Sequence, residues 1–110
     1  MTLEGSPLAC RMSALTAEQH ARRRDLASRL RPLVSEVMPM ANGYALRLPA
    51  QDDVLMQATE FVTLERQCCP FLSFQLDVEA ENGGAWLRLS GREGVKKFLA
   101  AEFGMESWAH

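Results

Sequence analysis

The sequence predicts an α+β fold, a two-layer sandwich with element order α-β-β-α-β-β-α and a four-stranded sheet. Three observations predict it. Alternating apolar and polar runs flank two turn signals, Asn42-Gly43 and Asn82-Gly83-Gly84, so each flanking pair reads as a hairpin. Segments of helical period stand before, between and after the hairpins. The length, 110 residues, is that of one domain. The expected division is a lead-in at 1–12, an α+β domain at 13–104 and a frayed tail at 105–110.

The first helix is expected from Thr16, because Thr16-Ala17-Glu18-Gln19 forms a capping box. Pro32 closes it near Arg31. Its apolar stripe is thin (Ala17, Ala21, Leu26, Ala27, Leu30), as for a helix on the outside of a domain or against a partner chain. The first hairpin is expected to pair about 34–39 with 43–48, its Asn-Gly turn exploiting two residues that tolerate positive φ. Pro39 weakens the first of these strands and Pro49 ends the second.

Helix two is the clearest element. Asp52 or Asp53 is the expected N-cap, and Val54, Leu55, Ala58, Phe61, Val62 and Glu65 follow the helical period. Cys68 and Cys69 extend that face, and Pro70 ends the helix. Leu72, Phe74, Leu76 and Val78 alternate with polar residues, and Ala85, Leu87 and Leu89 alternate with Trp86, Arg88 and Ser90. Ser90-Gly91-Arg92-Glu93 offers a second capping box before a helix carrying Val95, Phe98, Leu99 and Phe103, with Gly104 as its stop. This order can be drawn as a permuted ferredoxin-like sandwich with the fourth strand between the second and third. Helices two and three would cover one sheet face. The other face would carry Trp86, Arg88, Ser73, Gln75, Ala45 and Arg47, to be covered by helix one or by a second copy in a homodimer.

Composition narrows the function classes. Hydrophobic residues make up 47% and charged residues 24%, as in an ordinary globular protein. A net charge of −2 gives none of the basic surplus that nucleic acid demands. There is no apolar run of transmembrane length, and the N-terminus does not read as an export signal. Three cysteines, an odd number, then point to reduced thiols in a cytoplasmic setting. Arg22-Arg23-Arg24, with Arg29 and Arg31, reads first as a solvated helix face and second as a contact for an acidic partner.

The chemically pointed feature is Glu65-Arg66-Gln67-Cys68-Cys69-Pro70-Phe71. A thiolate is a soft ligand and a nucleophile, and two in succession offer a chelate with almost no loop to close. Hg(II), As(III) or Cu(I) would suit it, with Cys10 as a third sulfur. The competing reading makes both residues small hydrophobes of the core. A bond between them is disfavoured: neighbouring Cα atoms lie about 3.8 Å apart, whereas disulfides span roughly 4.4–6.8 Å. The helix C-terminus and Glu65 should raise the thiol pKa, which argues against a strong nucleophile. Zinc would have to recruit His20 or His110 as fourth ligand, and the spacing does not suit it. Glu65 itself is expected to pair with an arginine such as Arg47 or Arg88. No catalytic constellation stands out, and the reading leans away from an enzyme.

The stretch Thr63–Leu76 resembles the signature of a family of small, uncharacterised bacterial proteins with the pattern E-R-x-C-C-P-F-L-x-F-x-L. Trp86–Lys96 and the opening Ala9-Cys10 with Leu15–Gln19 fit the same resemblance, over about residues 9–104. The resemblance implies that Cys10, Cys68 and Cys69 occupy the family's cysteine positions. It also implies a loose association with heavy-metal resistance. Two functions stay open at this point. One is a soft-metal or metalloid binder or sensor using Cys68, Cys69 and Cys10. The other is a non-catalytic homodimeric interaction module with buried cysteines.

Overall fold

The computed structural model describes residues 8–108. Its longer elements are α1 (Ala17–Leu30), β1 (Glu36–Met40), β2 (Gly43–Leu48), α2 (Asp52–Cys68), β3 (Ser73–Val78), β4 (Ala85–Ser90) and α3 (Val95–Glu102). The sheet is antiparallel in the order β1-β2-β4-β3, so the fourth strand lies between the second and third as expected.

The register explains the two layers. Leu46 aligns with Leu87 and Leu87 with Leu76; Tyr44 aligns with Leu89 and Leu89 with Phe74. Strand alternation puts these residues on one face, where they share a core with Leu26 and Leu30 of α1, Ala58 and Phe61 of α2, and Val95 and Leu99 of α3. The opposite face carries Arg47 against Trp86 and Ala45 against Arg88. Arg47 stacks over Trp86 at 5.1 Å and bonds Glu79 at 3.0 Å. Arg88 pairs with Asp77. Helix one does not cover this face; it lies against α2, with Arg22 bonding Glu60 at 2.8 Å.

Local signals fare unevenly. The Thr16–Gln19 capping box forms as expected. Helix two takes Gln51 as N-cap without a side-chain bond, and Asp52 and Asp53 fall inside its first turn, where they still favour the helix dipole. The expected box at Ser90–Glu93 does not form either. Gly94 caps α3 in the left-handed region, at φ 97°, and no side chain bonds the free N–H groups. The first hairpin pairs Met40 with Gly43, leaving Ala41-Asn42 as its loop, and neither Asn42 nor Gly43 has positive φ. Gly43 is needed for another reason: a Cβ there would run into the Leu89 carbonyl oxygen of the neighbouring strand. In the second hairpin, by contrast, Glu81, Asn82 and Gly84 do adopt positive φ.

Over residues 105–108 the structure differs from the frayed tail expected. Met105–Ser107 form a 3₁₀ turn, Met105 and Trp108 are buried, and the Trp108 indole donates to the Phe103 carbonyl at 2.9 Å. A large apolar side chain close behind a helix stop has enough surface to hold its segment down. The expectation for His110 lies outside the described residues.

Candidate metal centre

Helix two delivers three of the four site residues because they follow helical spacing. Glu65 stands one turn before Cys68 and Cys69, and the Cys69 N–H closes the last helical bond to the Glu65 carbonyl at 2.7 Å. Pro70 then forbids continuation. Cys69 leaves helical geometry at φ −123°, ψ 77°, and its carbonyl accepts the Leu72 N–H at 3.1 Å, a turn with proline in its favoured second position.

The fourth residue arrives from the opening segment. A helix C-terminus presents carbonyls without helical partners, and the Arg11 N–H takes that of Cys68 at 2.7 Å. The His20 ring bonds the Met12 carbonyl at 2.6 Å, Leu15 is buried, and Leu8 packs on the core. These ties hold Cys10 over the end of α2.

Ligand atoms of Cys10, Glu65, Cys68 and Cys69 all lie within 4.8 Å of one another. The Cys10 and Cys69 sulfurs are 2.7 Å apart, and the Cys69 thiol faces a Glu65 oxygen at 3.4 Å. All three cysteines are free thiols. Cys68, Cys69 and Glu65 are 0% exposed, so only Cys10 offers a sulfur to solvent. A cleft of about 350 Å³ reaches Cys10 and Glu65 from the surface between α1 and the chain's end, with Arg23, Arg31, Phe61 and Trp108 in its walls.

The buried carboxylate is paired with Arg23, whose Nη1 lies 3.0 Å and 3.1 Å from its two oxygens. This corrects the expectation of Arg47 or Arg88 as partner; those two are engaged on the far face of the sheet. It also corrects the reading of the arginine run as wholly solvated. Arg22 and Arg29 do bond surface carboxylates, but Arg23 turns inward. Partial burial works against the Arg23 charge, and the adjacent Glu65 outweighs it, so the guanidinium is held above its ordinary value.

Burial is the main force pushing the Cys69 thiol far above its ordinary pKa; the contact with Cys10 and the Glu65 charge push the same way. Burial also raises Cys10, although its contact with Cys69 pulls in the other direction. Thiols that hold their protons this firmly are poor nucleophiles at neutral pH. They remain competent ligands, because a soft cation displaces the proton on binding.

The sequence pointed to the three sulfurs but not to Glu65 as the carboxylate beside them, nor to Arg23 as its counter-ion. The signal for Glu65 was present: a carboxylate on an otherwise apolar helix face, one turn before two cysteines. Nothing local in the sequence pairs residue 23 with residue 65. His20 lies outside the cluster, its ring bonded to the Met12 carbonyl. No helix among the described residues is long and apolar enough to cross a membrane. No family model matches the chain, and neither a curated protein nor a solved structure does.

Proposed function

We propose that this protein binds a thiophilic metal or metalloid ion through Cys10, Cys68 and Cys69, as a binder or sensor working in a reducing, cytoplasmic setting. One observation carries the reading: ligand atoms from two distant chain segments, three of them sulfur, converge within 4.8 Å of one another, all but Cys10 fully buried. Core cysteines acting only as small hydrophobes have no need to meet a third thiol and a carboxylate. The resemblance of Thr63–Leu76 to a family of which some members are loosely associated with heavy-metal resistance points the same way.

Charge accounting narrows the coordination. Net charge is costly in a buried site, and Glu65 is already neutralised by Arg23. A divalent ion such as Hg(II) is then neutral with two thiolates, and trivalent As(III) is neutral with three. The preferred set for Hg(II) is Cys10 with Cys69, the closest sulfurs; As(III) would take Cys68 as well. Two-coordinate Hg(II) is linear, and with metal–thiolate bonds of about 2.3 Å it sets its two sulfurs roughly 4.6 Å apart. The 2.7 Å contact between Cys10 and Cys69 must therefore open by about 2 Å on binding.

The test is metal titration of the reduced protein, followed by thermal melting and by counting reactive thiols. Hg(II) and As(III) should each raise the melting temperature and remove Cys10 from reaction. Cys68→Ser should abolish the As(III) effect and leave much of the Hg(II) effect, while Cys69→Ser should abolish both. An unchanged melting temperature and unchanged thiol reactivity with both ions would refute the proposal.

A second proposal concerns the face opposite the helices. No helix among the described residues covers it, and it carries Trp86 on the inner strand β4 and, beyond β2 on the edge strand β1, Met38, which is 45% exposed. A homodimer through this face would cover both. Sedimentation should then show concentration-dependent association that Trp86→Ser weakens; a monomer at all concentrations removes the dimer.

A further inference from the structure

We infer that the ion reaches this site as an anionic low-molecular-weight thiol complex, docked in the cleft that ends at Cys10. The inference rests on the metal-binding reading and adds the chemical class of the donor. A bare ion needs far less space than the roughly 350 Å³ available, and thiophilic ions in a reducing compartment are held by small thiols rather than by water.

The charges in the cleft wall favour an anionic carrier. The Arg24 side chain makes no hydrogen bond or ion pair with any described residue. The Arg31 guanidinium bonds the Ser107 hydroxyl, at 2.8 Å, and stacks over Trp108 at 5.6 Å. Arg23 is committed to Glu65 through Nη1, yet its Nε is buried in the same wall without a partner. Donors thus remain for a carboxylate; of the two lining carboxylates, Glu65 is paired with Arg23 and Glu102 opposes. The aromatic surface of Phe103 and Trp108 can hold the carrier's apolar stem.

Transfer is then a pair of ligand exchanges with no change of oxidation state. The Cys10 sulfur bonds to the ion, one carrier thiolate leaves, and the Cys10 proton goes to that thiolate. Cys69, at 2.7 Å from Cys10, replaces the second carrier in the same way and gives up its own proton. Two carrier thiols depart, and the ion ends bonded to both sulfurs, the partly exposed Cys10 and the buried Cys69.

The experiment measures the rate of Hg(II) uptake by stopped-flow absorbance from two preformed complexes, bis-glutathione (anionic) and bis-mercaptoethanol (neutral). Each is run with the native protein, Arg24→Glu and Arg24→Gln. Arg24 is exposed and unbonded, so these variants should keep the native melting temperature. Uptake from the glutathione complex should fall about tenfold in Arg24→Glu at low ionic strength, and less in Arg24→Gln. The difference should shrink at about 0.15 M salt, where the screening length is roughly 8 Å. Uptake from the mercaptoethanol complex should be unaffected. Equal native-to-variant ratios for the two carriers would overturn this inference and leave the metal-binding proposal standing. No uptake from either carrier, with no binding at equilibrium, would overturn both.

Discussion

Replacing Arg23 by methionine would strand the Glu65 carboxylate in the core. Glu65 is 0% exposed and Arg23 supplies hydrogen bonds of 3.0 Å and 3.1 Å to its two oxygens. Removing one partner of a buried ion pair costs about 3–5 kcal/mol. The Arg23 side chain is 18% exposed, so water can reach the vacated side, and the lower end, about 3 kcal/mol, is the expected loss. With a urea m-value of about 1–3 kcal/mol per molar, the unfolding midpoint should drop by roughly 1–3 M. The double variant Arg23→Met/Glu65→Leu replaces the pair with apolar volume and should recover most of that loss, because such replacements are often near neutral. Urea denaturation of the four proteins in the cycle gives the coupling directly. A loss below about 1 kcal/mol for Arg23→Met, or a double variant as unstable as the sum of the singles, would refute the buried-pair reasoning.

Other outcomes follow from the same geometry. Gly43→Ala should cost about 3 kcal/mol or more, since the new Cβ meets the Leu89 carbonyl oxygen and must push β2 from β4; an unchanged urea midpoint would contradict this. Trp108→Ala should cost about 3–5 kcal/mol although it lies only two residues from the chain's end, because its ring is 3% exposed. A loss within about 0.5 kcal/mol would mean that the segment is not docked. For pH, Cys10 and Cys69 are raised above the ordinary thiol value of 9.0. Below 9.0 both folded and unfolded chains keep these protons and the thiols leave stability unchanged. Above it the unfolded chain releases protons that the fold retains, so stability should fall as pH rises. In Cys10→Ser/Cys69→Ser that alkaline fall should be reduced; an equal fall in both proteins would contradict the shifts.

The fold was legible because its elements follow clean periods. Leu72–Val78 and Ala85–Ser90 alternate without interruption, α2 keeps the helical period from Val54 to Cys68, and the pairing order follows from hairpin logic. What the sequence concealed depends on contacts distant along the chain. Gly43 looks like a turn residue, and its constraint is the approach of β4. Trp108 looks like part of a loose end, and its burial depends on a pocket formed by other elements. In the site, Cys68 and Cys69 draw the eye by adjacency, whereas Cys10 gains its meaning only when the Arg11 N–H caps the last turn of α2. Glu65 was read as an arginine partner, correctly in kind; the choice of Arg23 depends on how α1 lies across α2.

The proposal that this cluster is a metal or metalloid site is tested most directly by X-ray absorption at the arsenic edge, on protein loaded with one equivalent of As(III). Three sulfur neighbours and no oxygen, reduced to fewer sulfurs by Cys10→Ser, is the expected spectrum. An oxygen-only shell, identical to that of free arsenite, would contradict the proposal.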